Sequence, residues 1–242
     1  MPLFKNPYLQ IARIDHWFKN VFMLPGIVIA LYLDHGVWSV ELLPRLALAF
    51  LLVGLIASSY YVLNEILDAE TDKKHPVKCK RPVPSGRVNV KIAYFEWILL
   101  GAAGVFGSLA LGPAFFITAL LLWLMGCIYN IKPIRTKDKP YLDVLSESLN
   151  NPLRLLLGWY ATGTALIPPV SLVLAYWMIG AFFMAVKRFA EYRHINDPVR
   201  AGEYRQSFQH YNEERLLISI ISVSYTHLTL PTTIPSWGGG GG

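Results

Sequence analysis

Long apolar runs alternate with short polar loops along most of the chain. Val21 to Leu33 is a first run, shorter than the roughly 20 residues a bilayer requires, so it must tilt or borrow from the segment before it. That segment, residues 1–20, reads as an amphipathic interfacial lead-in with Trp17 and Phe18 as belt residues. Leu42 to Leu63 is a second span. Ile92 to Leu111 is a third, whose Gly101, Gly104 and Gly107 permit close helix approach. Pro113 marks a turn, Ala114 to Ile131 forms the fourth span, and Val170 to Val186 the sixth.

Between them, Tyr141 to Thr162 is interrupted by Asp143, Ser146, Glu147, Ser148, Asn150, Asn151 and Arg154. Such a segment enters a membrane only if its polar face lines a cavity or the bundle interior. An interfacial or cytosolic helix is the alternative, against which the apolar stretch Leu155 to Trp159 weighs. A seventh span begins near Glu213 and does not complete. Ser224 to Gly242 has no helical period and ends in a glycine run. The pattern predicts an all-α, polytopic transmembrane helical bundle over residues 1–223, cut short after six to seven helices. Residues 224–242 are expected to be a non-native or disordered tail.

Composition agrees: 54% of residues are hydrophobic and 16% charged, too oily for an ordinary soluble domain. The net charge of +6 does not indicate nucleic acid, because the bases sit in loops between apolar runs. Of the 22 Lys and Arg residues, three precede the first span, and seven, four and six fall in alternate later loops. Only Arg45 and Arg154 lie elsewhere. The positive-inside rule then places the N-terminus and the charged loops in the cytosol, at a bacterial plasma membrane. No cleavable signal peptide is expected. Cys79 and Cys127 lack metal-type spacing and read as incidental.

The densest chemistry lies from Asn64 to Arg87. Asn64, Asp68 and Asp72 are spaced by four, so their oxygens share one helix face at the membrane boundary. Hard oxygen ligands there suit Mg²⁺, which keeps waters and substrate phosphates in its other positions. The basic run Lys73, Lys74, Lys78, Lys80, Arg81 and Arg87 supplies charge for those phosphates. A solvated helix end is the bland alternative. Asp143, Glu147, Asn150 and Arg154 recur at three- and four-residue steps and form a candidate second wall.

N-x-x-x-D-x-x-x-D followed by H-P-x-K-x-x-R-P-x-x-x-G resembles the first signature of the UbiA-type prenyltransferase superfamily. These are helical membrane enzymes that use Mg²⁺ to handle prenyl diphosphates. The resemblance implies a UbiA-type bundle in which Asn64, Asp68 and Asp72 ligate metal. Glu65 stands where the superfamily has aspartate. In place of the usual second D-x-x-x-D the chain has Lys187-Arg188-Phe189-Ala190-Glu191. That string is similar to the K-R-Y-A-E of the decaprenyl-phosphate phosphoribosyltransferase branch. Trp17-Phe18-Lys19-Asn20, Asp143 and Arg154 also resemble that branch.

The resemblance implies catalytic roles for Asp68, Asp72, Asp143, Lys187 and Glu191, and substrate contacts from Lys19, Lys78, Arg81, Arg154 and Arg188. Tyr129 and Lys132, in Y-N-I-K, are candidates to position the acceptor, or else a belt aromatic and a topology lysine. Lys187 and Glu191 also read as a plain i,i+4 salt bridge. The activity implied is transfer of 5-phosphoribosyl from phosphoribosyl pyrophosphate to a polyprenyl phosphate. Transfer of a polyprenyl group from its diphosphate to an aromatic acceptor such as 4-hydroxybenzoate is the alternative. A non-catalytic scaffold or transporter is the reading of another class.

Overall fold

The computed structural model describes residues 5–34, 39–73, 75, 77–195, 197, 201–202 and 205–229, and Lys74 and the chain from 230 onward lie outside the described residues. The first span borrows, as expected. Helix α1 (Pro7–Ala12) leads through a 3₁₀ segment (Ile14–Met23) into α2 (Leu24–Leu33). Arg13, at φ 47°, turns the chain between the first two pieces. Trp17 is not a belt residue, because its Nε1 donates to Ser58 Oγ at 2.9 Å and its ring covers Gly54. Phe18 does remain exposed.

Helix α3 (Leu42–Lys73) is a single rod of 32 residues. At 1.5 Å per residue it rises about 48 Å. A hydrocarbon layer is only about 30 Å thick, so the polar end from Asn64 on can project past it without a break. Helices α4 (Val90–Gly107) and α5 (Pro113–Asn130) pack against it. The glycines of α4 act as their spacing predicts. A Cβ on Gly104 would lie 2.6 Å from Ile56 Cγ1 and 3.0 Å from Leu52 O, so only hydrogen fits this crossing.

The polar fifth segment is two helices, α6 (Leu142–Ser148) and α7 (Asn150–Ala161), joined at Leu149. It is interior, not interfacial: Leu155, Leu157, Trp159 and Ala161 are fully buried. Gly26 and Gly158 let α2 and α7 touch backbone to backbone. Helix α8 (Val170–Ile195) follows, and α9 (Glu213–Thr229) packs on it. Helix α9 therefore runs past the boundary expected at residue 223.

Five stretches among the described residues are long and apolar enough to cross a membrane: Pro7–Leu33, Leu42–Lys73, Val90–Leu111, Pro113–Asn130 and Val170–Ile195. Their outward faces carry Phe95, Ile98, Leu99 and Phe106 on α4 and Ile117 and Leu121 on α5, all exposed. A continuous apolar exterior of this kind belongs in lipid.

Candidate active site

The projecting end of α3 meets two loops. The first, after α3, folds back because Glu65 Oε1 accepts from the Val83 amide at 3.1 Å, while Arg13 Nη2 stands 3.8 Å from Glu65 Oε2. Glu65 is buried, so this carboxylate anchors a loop and does not face substrate. The anchored loop delivers Arg81 Nη1 to Asp72 Oδ2 at 2.6 Å, with Lys78 Nζ 3.9 Å from Asp72 Oδ1. Burial lowers the Lys78 pKa, and Asp72 opposes that shift.

The second loop follows α5. Arg135 (φ 29°) and Tyr141 (φ 63°) hold strained backbone on either side of a 3₁₀ turn, Thr136–Asp138. That turn aims Lys137 inward. Its Nζ donates to Asp68 Oδ1 at 2.5 Å, Asn130 Oδ1 at 2.9 Å and Asn64 Oδ1 at 3.2 Å. Arg135 Nη2 adds a second cation on Asp68 Oδ1 at 2.8 Å. Burial lowers the Lys137 pKa, with Asp68 the main opposing influence.

The three oxygen-bearing residues that share a face of α3 are thus divided. Asn64 and Asp68 converge on one point, and Asp72 addresses Arg81 and Lys78. Among the described residues no three carboxylate, imidazole or thiol groups are arranged to hold a metal ion by themselves. The oxygens that do converge already surround a cation, and one carboxylate with neutral oxygens and substrate phosphates is a donor set Mg²⁺ accepts. Asn64 and Asp68 fit the ion, with Asp72 as a neighbour.

Beside this lies a second buried network. Arg188, 2% exposed, donates from Nε to Asp143 Oδ2 at 3.0 Å, from Nη2 to Glu147 Oε2 at 2.6 Å and from Nη1 to Glu191 Oε2 at 3.1 Å. Asp143 is fully buried and also accepts from Tyr211 Oη at 2.9 Å and Ser207 Oγ at 3.2 Å. Tyr129 Oη donates to Glu147 Oε2 at 3.0 Å and accepts from Arg205 Nη2 at 3.1 Å. The expectation that Arg188 meets phosphate is not met in this geometry, because all three of its nitrogens are engaged by carboxylates. Asp143 is likewise enclosed. Lys187 is half exposed, 3.9 Å from Glu191 Oε1, which matches the plain i,i+4 bridge.

Between α3, α7 and α8 lies a cavity of ≈ 320 Å³, lined by Tyr60, Tyr61, Ile179 and Phe183 with Lys19, Glu147 and Arg154. Lys19 Nζ sits 5.7 Å from the Tyr61 ring centroid. Arg154 makes only long contacts, 3.4 Å to Asn20 Oδ1 and 3.4 Å to the Asn150 carbonyl, and no ion pair among the described residues.

A sequence model of the UbiA prenyltransferase family matches residues 22–241. The chain belongs to the UbiA prenyltransferase family. It is therefore a transferase of a family of membrane enzymes. Over 209 residues it is 29% identical to a decaprenyl-phosphate phosphoribosyltransferase of Mycobacterium tuberculosis, covering 86% of this chain and 67% of that one. It is 34% identical to a digeranylgeranylglyceryl phosphate synthase of Saccharolobus solfataricus over 53% of this chain and 43% of that one. A UbiA homologue from Archaeoglobus fulgidus, solved with GPP and Mg²⁺, superposes with a TM-score of 0.73 at 23% identity, over 93% of this chain and 76% of that one. The UbiA-type bundle is thus the fold.

Within this UbiA-family site several residues escape a reading of the sequence. Lys132 is exposed and reaches none of these groups; Lys137, one turn of loop later, does. Helix α5 ends at Asn130, and the chain swings out before the 3₁₀ turn brings it back. Asn130, Arg135 and Arg205 were also silent, since nothing in their spacing separates them from ordinary loop residues.

Proposed function

We propose that this chain is a Mg²⁺-dependent membrane transferase that moves 5-phosphoribosyl from phosphoribosyl pyrophosphate to a polyprenyl phosphate. One observation carries the choice of donor. Among the ion pairs of the described residues, the four cations Lys78, Arg81, Arg135 and Lys137 stand against three carboxylates, Asp68, Asp72 and Asp138. That surplus of cations suits a donor carrying a 5-phosphate in addition to its diphosphate. The identity to the mycobacterial phosphoribosyltransferase supports the same reading.

Asn64 and Asp68 would hold the metal, which would supply positive charge to neutralise the diphosphate and improve it as a leaving group. Lys78, Arg81 and Arg135 bind the remaining phosphate oxygens and fix the donor at the mouth of the bundle. The ribose C1–oxygen bond to pyrophosphate breaks, the electron pair leaves with pyrophosphate, and a lipid phosphate oxygen forms the new bond to C1. That oxygen is already anionic, so no general base is required. Arg154 holds the lipid phosphate from the cavity, where Tyr60 and Phe183 exclude water around the first isoprene units. The active site faces the cytosol, where the basic loops lie.

The second reading, prenyl transfer from a diphosphate to a small acceptor, draws on the identity to the digeranylgeranylglyceryl phosphate synthase. Two parallel assays separate them: labelled phosphoribosyl pyrophosphate with decaprenyl phosphate, and a prenyl diphosphate with 4-hydroxybenzoate. Phosphoribosylated lipid in the first is expected. Product confined to the second overturns the proposal.

A further inference from the structure

The α3 cradle already holds a cation, and it belongs to the protein. An ammonium has three N–H donors. All three of Lys137 are spent on Asn64, Asp68 and Asn130, in a position where the side chain is almost wholly buried. Arg135 shares the same Asp68 oxygen. A divalent ion entering beside that carboxylate would meet two positive charges, and one of them has to move.

Arg135 is the fixed one. Its Nε is held by Asp138 Oδ2 at 2.6 Å and its Nη1 by the Asn130 carbonyl at 3.2 Å, independently of Asp68. Among the described residues the Lys137 ammonium has no polar partner outside the cradle, and its charge rides on a flexible four-carbon stem. Once out of the cradle, a desolvated ammonium needs a new anion, and the diphosphate arriving with the metal supplies one.

We infer that Lys137 fills the metal position of the empty site and yields it to a divalent cation that arrives with diphosphate, passing its own charge to a phosphate oxygen. This rests on the proposal that Asn64 and Asp68 are metal ligands. Its consequence is that metal alone binds weakly and pyrophosphate strengthens metal binding, since the lysine leaves readily only when a phosphate receives it. Coupling of this kind is reciprocal.

The test uses the full chain in lipid nanodiscs with Mn²⁺ as the probe, free Mn²⁺ being read by electron paramagnetic resonance with and without pyrophosphate. Lys137→Met is expected to bind Mn²⁺ alone about ten-fold more tightly than the parent, because the competing charge is gone. It should also lose most of the strengthening by pyrophosphate. Lys137→Gln, which retains one donor for the cradle, replaces it if the methionine variant does not fold. Asp68→Asn is the control for the site. If Asp68→Asn loses Mn²⁺ while both Lys137 variants bind it as the parent does, or more weakly, the lysine is a fixed pin and this inference alone falls. If Asp68→Asn binds Mn²⁺ like the parent, the metal lies elsewhere and the underlying assignment falls with it.

Discussion

Arg188 Nη2 lies 2.6 Å from Glu147 Oε2, joining α8 to α6 across a buried contact in which Asp143 and Glu191 also take part. Removing one member of such a network leaves uncompensated charge in a poorly solvated place. Arg188→Met is therefore expected to destabilise the protein by about 3–5 kcal/mol, read as a lowered unfolding midpoint in detergent. The adjacent Lys187 is more than half exposed. Lys187→Ala should change stability by no more than about 0.5 kcal/mol and leave donor KM unchanged. Equal losses from the two variants would contradict this division.

Asp68 receives two cations on one oxygen, and in the proposed function it is the carboxylate that would meet metal and diphosphate. Asp68→Asn keeps the size and the hydrogen-bonding oxygen but removes the charge. It is expected to fold and to lose roughly 10²–10³-fold in kcat, the scale set by deleting one preorganised electrostatic group. A variant with full turnover would exclude Asp68 from the chemistry and revive the scaffold reading.

The bundle was legible because bilayer spans announce themselves. The runs starting at Leu42, Ile92, Ala114 and Val170 reappear within a few residues as α3, α4, α5 and α8. Tyr141–Thr162 was recognisable as an inward-facing segment from its interrupted polarity together with the apolar stretch Leu155 to Trp159, but its division into α6 and α7 was not. The site was legible only where chemistry is periodic, as on α3. Lys137 and Asn130 are joined by a loop whose path depends on strained backbone at Arg135, and no pattern of residue types encodes that. Arg188 shows the converse limit. Its sequence context marks a charged helix end, while two of its three carboxylate partners come from another helix, 41 and 45 residues away.

Helices α2 and α7 cross with no room for a methyl group. A Cβ on Gly26 would lie 2.0 Å from the Leu155 carbonyl oxygen, and one on Gly158 would lie 2.0 Å from that of Met23. Because the obstacle is backbone, a rotamer change cannot relieve it. Gly26→Ala and Gly158→Ala should each cost at least about 1–3 kcal/mol. The double variant should cost less than the sum, since one separation of the helices serves both. Thermal unfolding of the four proteins tests this.

Lys78 gives a pH signature. Burial lowers its pKa from the ordinary lysine value, Asp72 opposing. Below its folded-state pKa the ammonium is present and donor affinity is complete. As pH rises through that value the charge is lost, while an unfolded lysine would still be protonated. Donor affinity therefore falls on the alkaline side earlier than an unperturbed lysine would allow. In the same window the unfolded state binds more protons, so this group's contribution to stability rises with pH. Lys78→Met should weaken donor binding at neutral pH and remove this alkaline limb from kcat/KM.

A substitution at Arg154 is expected to separate the two substrates of the proposed reaction. Arg154 faces the cavity between α3, α7 and α8, and its hydrogen bonds among the described residues, to Asn20 Oδ1 and the Asn150 carbonyl, are both 3.4 Å long. An arginine inside a bilayer bundle without a carboxylate is costly unless an anion from elsewhere completes it. In the proposed function Lys78, Arg81 and Arg135 take the donor's phosphates, which leaves the lipid phosphate for Arg154. Arg154→Met should raise KM for polyprenyl phosphate about ten-fold, the scale of a lost charged hydrogen bond, and leave donor KM within a factor of two. Arg154→Lys should recover part of the affinity, because charge is retained while the fork geometry is lost. If instead donor KM rises and lipid KM does not, the cavity holds the ribosyl donor and the two substrates exchange places.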